Sequence, residues 1–131
     1  MSTIAELSKE IHENARSKGF WDKERNMGEM LMLIVSEVSE TMEADRVDYV
    51  ADVKRFNKIM EGWDDTHYAY DNAFKNAFKQ TIKSSFEDEL ADVVIRVMDL
   101  AYSRNIDLEW HIKQKMKYNS MREHMHGGKK Y

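Results

Sequence analysis

Residues 26–46 read NMGEMLMLIVSEVSETMEADR. Met27, Met30, Leu31, Ile34, Val35, Val38 and Met42 recur along it at helical steps, the period of one face of an α-helix and not the alternation of a strand. The spacing predicts a helix from about Asn26 to Arg46. The same period continues on both sides. Thr3 with Glu6 is a capping-box pattern, opening a helix striped by Ile4, Leu7, Ile11 and Ala15 that Gly19 would end. Phe20 and Trp21 follow in a loop. Val50, Val53, Phe56 and Ile59 predict a short helix broken near Gly62. Asp64, Asp65 and Thr66 predict a turn into a helix striped by Tyr70, Phe74, Phe78 and Ile82. Ser84 or Ser85 would cap a helix over 86–103, with Leu90, Val93, Val94, Val97 and Ala101 facing inward. Asn105 or Asp107 would start the last helix, carrying Leu108, Ile112 and Met116. The tail 124–131 is glycine-rich and basic and is expected to fray. The expectation is all-α: one domain over 1–131, a bundle of five to six helices whose four-helix core is completed by oligomerisation.

Composition narrows the classes. With 131 residues, 42% hydrophobic and 34% charged, the chain has the size of one domain and enough apolar residues for a core. Proline is absent, which fits uninterrupted helices. No apolar run approaches the roughly 20 residues of a membrane span, and the start lacks a basic-then-apolar leader; a cytoplasmic location is expected. With no cysteine, disulfides, thiolate metal sites and cysteine nucleophiles are excluded. The net charge of −4 argues against a phosphate-tracking surface for nucleic acid, but a divalent cation can bring a small polyanion to an acidic protein.

Two acidic pairs carry the chemistry. Glu37 and Glu40 share a face of one predicted helix, and Glu89 and Asp92 share a face of a later one; side chains at that spacing are neighbours, with Cβ atoms roughly 5–6 Å apart. Each pair borders the apolar stripe of its helix. Four such carboxylates drawn together would repel, a like pair ~5 Å apart costing about 3 kcal/mol at an effective dielectric of ~20, and a hard divalent cation such as Mg²⁺ removes that cost. Solvated surface acids are the plainer alternative, since 24 of 131 residues are acidic. Diiron chemistry is disfavoured because neither pair is a Glu-x-x-His.

The segments SEVSETMEA (36–44), EDELADVVIRVMDLA (87–101) and KMKYNSMREHMHGG (115–128) resemble the MazG-like, all-α nucleoside triphosphate pyrophosphohydrolases. That family carries Glu-x-x-Glu on one helix and Glu-x-x-Asp on a later one, together holding magnesium. The resemblance implies Glu37, Glu40, Glu89 and Asp92 as ligands of Mg²⁺. The flanking residues are similar to the dCTP pyrophosphatase branch, which implies that His12, Trp21 and Asn119 contact the base. The resemblance covers roughly 2–46 and 85–126. Between the acidic pairs, the stretch 41–88 is longer than usual for the family, with a helical insert around 47–84. Arg96 also stands where that branch has an aromatic.

Lys115, Asn119 and Arg122 fall on one predicted helix face and suit phosphate or base contacts, or are a solvated stripe. Trp21 would stack on a base or anchor the core. Arg96 lies on the stripe of Glu89 and Asp92, which Asp99 extends, and would either neutralise phosphate or form a structural ion pair. The function implied is Mg²⁺-dependent hydrolysis of (deoxy)nucleoside triphosphates to monophosphate and pyrophosphate, serving nucleotide-pool housekeeping. Glu40 is the candidate for orienting the water. A homodimer or homotetramer is expected, without membrane or stable nucleic-acid partners. The alternative is a non-catalytic helical interaction module.

Overall fold

Thr3 Oγ1 accepts from the Glu6 amide at 3.1 Å, and the Glu6 carboxylate accepts from the Thr3 amide at 3.2 Å, so the capping box closes and starts α1 (Ile4–Ser17). A cap of this kind contributes about 1 kcal/mol. In the computed structural model, which describes residues 2–122, six helices and no strand occur among the described residues. Asn26 caps α2 (Met27–Arg46) by accepting from the Glu29 amide. Then come α3 (Val53–Met60), α4 (Tyr70–Thr81), α5 (Phe86–Ser103) and α6 (Leu108–Ser120). Asp52 caps α3 and Asp107 caps α6 through their side chains, while Ser85 Oγ accepts from the Asp88 amide at the start of α5. Gly19 and Gly62 end their helices with φ of +85° and +81°, a region costly for side-chain-bearing residues. The predicted fraying tail, 124–131, lies outside the described residues. No helix among the described residues is long and apolar enough to cross a membrane.

The chain divides into two compact units, one formed by the segment through Glu24 with the chain from Val97 onward, the other by Arg25–Arg96. In the first, the Ile4 amide donates to Glu109 Oε1 at 3.2 Å, tying α1 to α6. In the second, α3 and α4 pack through an aromatic cluster. Phe56 meets Phe74 and Phe78 edge-on at 5.6 and 6.5 Å between ring centroids, and those two rings stack at 5.9 Å. The loop before α3 is stitched down by backbone: Asp52 N donates to Thr81 O, and Phe86 N to Tyr49 O, both at 2.9 Å. Ala51 N donates to Glu87 Oε2 at 2.8 Å; these bonds give the 47–84 segment a fixed place beside the start of α5.

Burial departs from the sequence reading in one respect. The α2 residues inside are Met30, Glu37, Thr41 and Ala44, whereas Leu31, Val35, Val38 and Met42 are each about half exposed, at 51%, 52%, 51% and 51%. On α5, Met98, Asp99 and Ala101 are buried, while Leu90 and Val94 are exposed. The predicted stripes are therefore only partly covered within one chain. Glu37, at the margin of the apolar stripe, also lies inside, where the Arg96 guanidinium meets it at 2.7 Å, the condition for burying a carboxylate.

Candidate metal centre

The geometry of the site follows from two helices of the second unit. On α2, Glu37 is 8% exposed, and on α5, Glu89 and Asp92 are half-buried. One carboxylate oxygen from each of the three lies within 4.8 Å of the others. Ligand oxygens around an octahedral ion at 2.0–2.1 Å stand roughly 3 to 4 Å apart, so this all-oxygen trio needs only small side-chain movement to hold a metal ion. Glu40 stands outside the trio but is hydrogen-bonded to Glu37 and feels the charge of Glu89. Arg96, one turn beyond Asp92, donates from Nε to Glu37 Oε1 at 2.7 Å. Of the two roles weighed for Arg96, the ion pair is the one formed, and its partner is a candidate metal ligand.

The electrostatics record the crowding. Burial by itself would raise the Glu37 pKa, but hydrogen bonds from Glu40 and Arg96 and the guanidinium charge outweigh it, and the net displacement is downward. Glu40 is pushed up to about 7, first by sharing a hydrogen bond with Glu37 and then by the charges of Glu37 and Glu89. Asp92 is pushed up to about 6, chiefly by burial, with Glu37, Asp88 and Glu89 adding repulsion and Arg96 opposing it. The cluster thus holds more negative charge than one guanidinium balances. The raised values make Glu40 and Asp92 the carboxyls of the cluster that hold protons longest as pH rises, the places a divalent cation would compete for.

In the first unit, His12 and Trp21 meet on one carboxylate. Asp99, 6% exposed, accepts from Trp21 Nε1 at 3.0 Å and lies 2.7 Å from His12 Nδ1. The His12 ring also packs against Tyr102 at 5.0 Å. Asp99 therefore fixes both rings, which also pack on one another at 5.4 Å between centroids, leaving His12 Nε2 as the imidazole nitrogen that could meet a base. Lys115, Asn119 and Arg122 are exposed; Lys115 Nζ stands 5.2 Å from the Tyr118 ring centre. Among the described residues the side chains of these three make no hydrogen bond to His12, Trp21 or Asp99.

Sequence reasoning missed a groove of about 430 Å³ on the metal-centre unit, whose walls include Phe74, Phe78, Lys75, Lys79, Lys83 and Asp92. The signal was present: three lysines recur at steps of four, of which Lys75 and Lys79 share one side of α4 and Lys83 follows just past its end. Comparison with known proteins found no matching family model, no related curated protein and no similar solved structure, so the MazG-like resemblance rests on its motif residues alone.

Proposed function

We propose that this chain is a magnesium-dependent nucleoside triphosphate pyrophosphohydrolase that acts as a homo-oligomer. The observation that carries the reading is the approach of Glu37, Glu89 and Asp92 to within 4.8 Å of one another, from the two helices whose motifs resemble those of the MazG-like enzymes. These three side chains, with Glu40 beside them, would hold the ion. Bound there, magnesium would neutralise phosphate charge and act as a Lewis acid toward a phosphoryl oxygen. Glu40 would orient a water toward the α-phosphorus and accept its proton as the α–β anhydride bond breaks and pyrophosphate leaves. That role needs Glu40 ionised, and a bound cation favours this by displacing the proton that the crowded carboxylates hold on it in the metal-free site. Arg96, on exchanging Glu37 for phosphate, would offset charge developing on the leaving group. Nucleotide-pool housekeeping in the cytoplasm is the biological role that goes with this chemistry.

Oligomerisation is supported by the half-exposed Leu31, Val35, Val38 and Met42. Their steps of four, three and four form a seam suited to a facing helix. The same seam favours the second reading, a non-catalytic assembly module. Pyrophosphate release from a panel of ribo- and deoxynucleoside triphosphates, with Mg²⁺ and with chelator, separates the two. Turnover that needs Mg²⁺ and falls at least 100-fold in Asp92→Asn supports the enzyme; no turnover of any nucleotide by the oligomer supports the module.

A further inference from the structure

The groove on the Arg25–Arg96 unit joins three kinds of group that the fold does not require together. Lys75 and Lys79 stand one turn apart on α4. The amide of Lys83 donates to Phe78 O at 2.9 Å, so the chain is still wrapped around the end of α4 at the third lysine. All three line the groove, with Phe74 and Phe78 along its wall and Asp92 on the α5 side. Like charges four apart on a helix destabilise it by a few tenths of a kcal/mol per pair. Acids could relieve this repulsion, but among the described residues none of the three lysines forms an ion pair. Asp88, the other acid of the lining, accepts instead from the Ser84 amide at 2.8 Å. Phe74 keeps 39% of its surface exposed, an apolar edge next to unneutralised cations. The groove's volume of about 430 Å³ falls within the range of small-molecule sites.

We propose that this groove binds a nucleoside polyphosphate. Lys75, Lys79 and Lys83 grip the phosphate chain beside the metal centre at Asp92, and Phe74 and Phe78, in place of the His12 and Trp21 that the resemblance implies, pack the nucleoside. Three cations on one wall and Asp92, one member of the carboxylate trio, on the other match a phosphate chain that also meets a bound cation, which neither a neutral ligand nor a peptide would satisfy. The assignment rests on the proposed pyrophosphohydrolase reading for its account of Asp92, but the lysines and the aromatic wall bind phosphate and nucleoside whether or not turnover follows.

The test is equilibrium binding of a non-hydrolysable nucleoside triphosphate analogue and of tripolyphosphate to the full chain with Mn²⁺, at two salt concentrations. Lys75→Gln/Lys79→Gln/Lys83→Gln is expected to weaken both probes at least 30-fold and to flatten the salt dependence. Its Mn²⁺ affinity and helix content should stay unchanged, because the three side chains are exposed. Phe74→Ala is expected to weaken the nucleotide about fivefold and leave tripolyphosphate unaffected. A triple variant that binds the analogue like wild type overturns the assignment, even if wild type releases pyrophosphate; in that case the enzyme reading stands and the groove is not its substrate site. Lysine-dependent binding without any turnover supports the groove and removes the enzyme reading. A preference for single-stranded oligonucleotide over the mononucleotide by tenfold or more also overturns it.

Discussion

Replacing Arg96 by glutamine tests the charge balance of the acidic cluster in two opposite directions. The guanidinium Nε lies 2.7 Å from Glu37 Oε1, with the side chains 30% and 10% exposed. At that distance and an effective dielectric of ~20 the bare attraction is about 6 kcal/mol. Removing both groups from water cancels most of it, and a charged hydrogen bond in such a setting retains about 1.5–3 kcal/mol. Arg96→Gln should therefore destabilise the metal-free protein by about 2 kcal/mol, near 6–8 °C in Tm for a chain of this size. The loss of a positive charge beside Glu37, Glu89 and Asp92 should at the same time tighten divalent cation binding several-fold, so saturating Mg²⁺ should recover most of the lost Tm. Differential scanning calorimetry in chelator and in Mg²⁺, with metal titration of both proteins, reads both effects. An unchanged Tm in chelator, or weaker metal binding by the variant, refutes the reasoning.

Four further outcomes follow from the same structure. With metal chelated, Glu40 at about 7 and Asp92 at about 6 lie above ordinary carboxyl values; the stability tied to their protonated forms is complete below pH ~4 and is lost as pH rises through 6 to 7. Thermal melts between pH 5 and 8 should fall toward neutral pH in chelator and flatten in Mg²⁺, and parallel curves would contradict the cluster. Metal binding at pH 6 should release protons, so the titration heat should depend on the buffer's ionisation enthalpy; buffer-independent heats would contradict it. Asp99→Asn exchanges a buried carboxylate for an amide and should cost about 1–3 kcal/mol, with a red shift of Trp21 emission as the indole loses its anchor; unaltered stability and emission would dismiss the anchoring role. Val38→Asp places a charge in the α2 seam and should reduce the sedimentation mass toward that of one chain while the circular dichroism stays helical. An unaltered mass would place any association elsewhere.

The helices could be read from sequence because their determinants are local. Thr3 with Glu6, Asn26 and Asp107 each cap from within a few residues, and Gly19 ends α1 through its own φ. Contacts between distant segments could not be read so. Arg96 reaches Glu37 across 59 residues and Asp99 gathers His12 and Trp21 across 87 and 78, and no periodicity encodes which charged side chain meets which. Periodicity also marks α2 as apolar along Leu31, Val35, Val38 and Met42 without saying that a single chain leaves these residues half exposed. The lysine groove escaped notice for a related reason. Lys75, Lys79 and Lys83 resemble an ordinary solvated helix face until Phe74, Phe78 and Asp92 are found lining the same cavity.

The central claim, that Glu37, Glu89 and Asp92 form one cation site, is tested most directly by anomalous scattering from crystals of the protein grown with Mn²⁺. A peak is expected about 2.0–2.3 Å from one carboxylate oxygen of each of the three, lost in Asp92→Asn. A Mn²⁺ peak at other residues, with these three carboxylates bearing none at saturating metal, would contradict it.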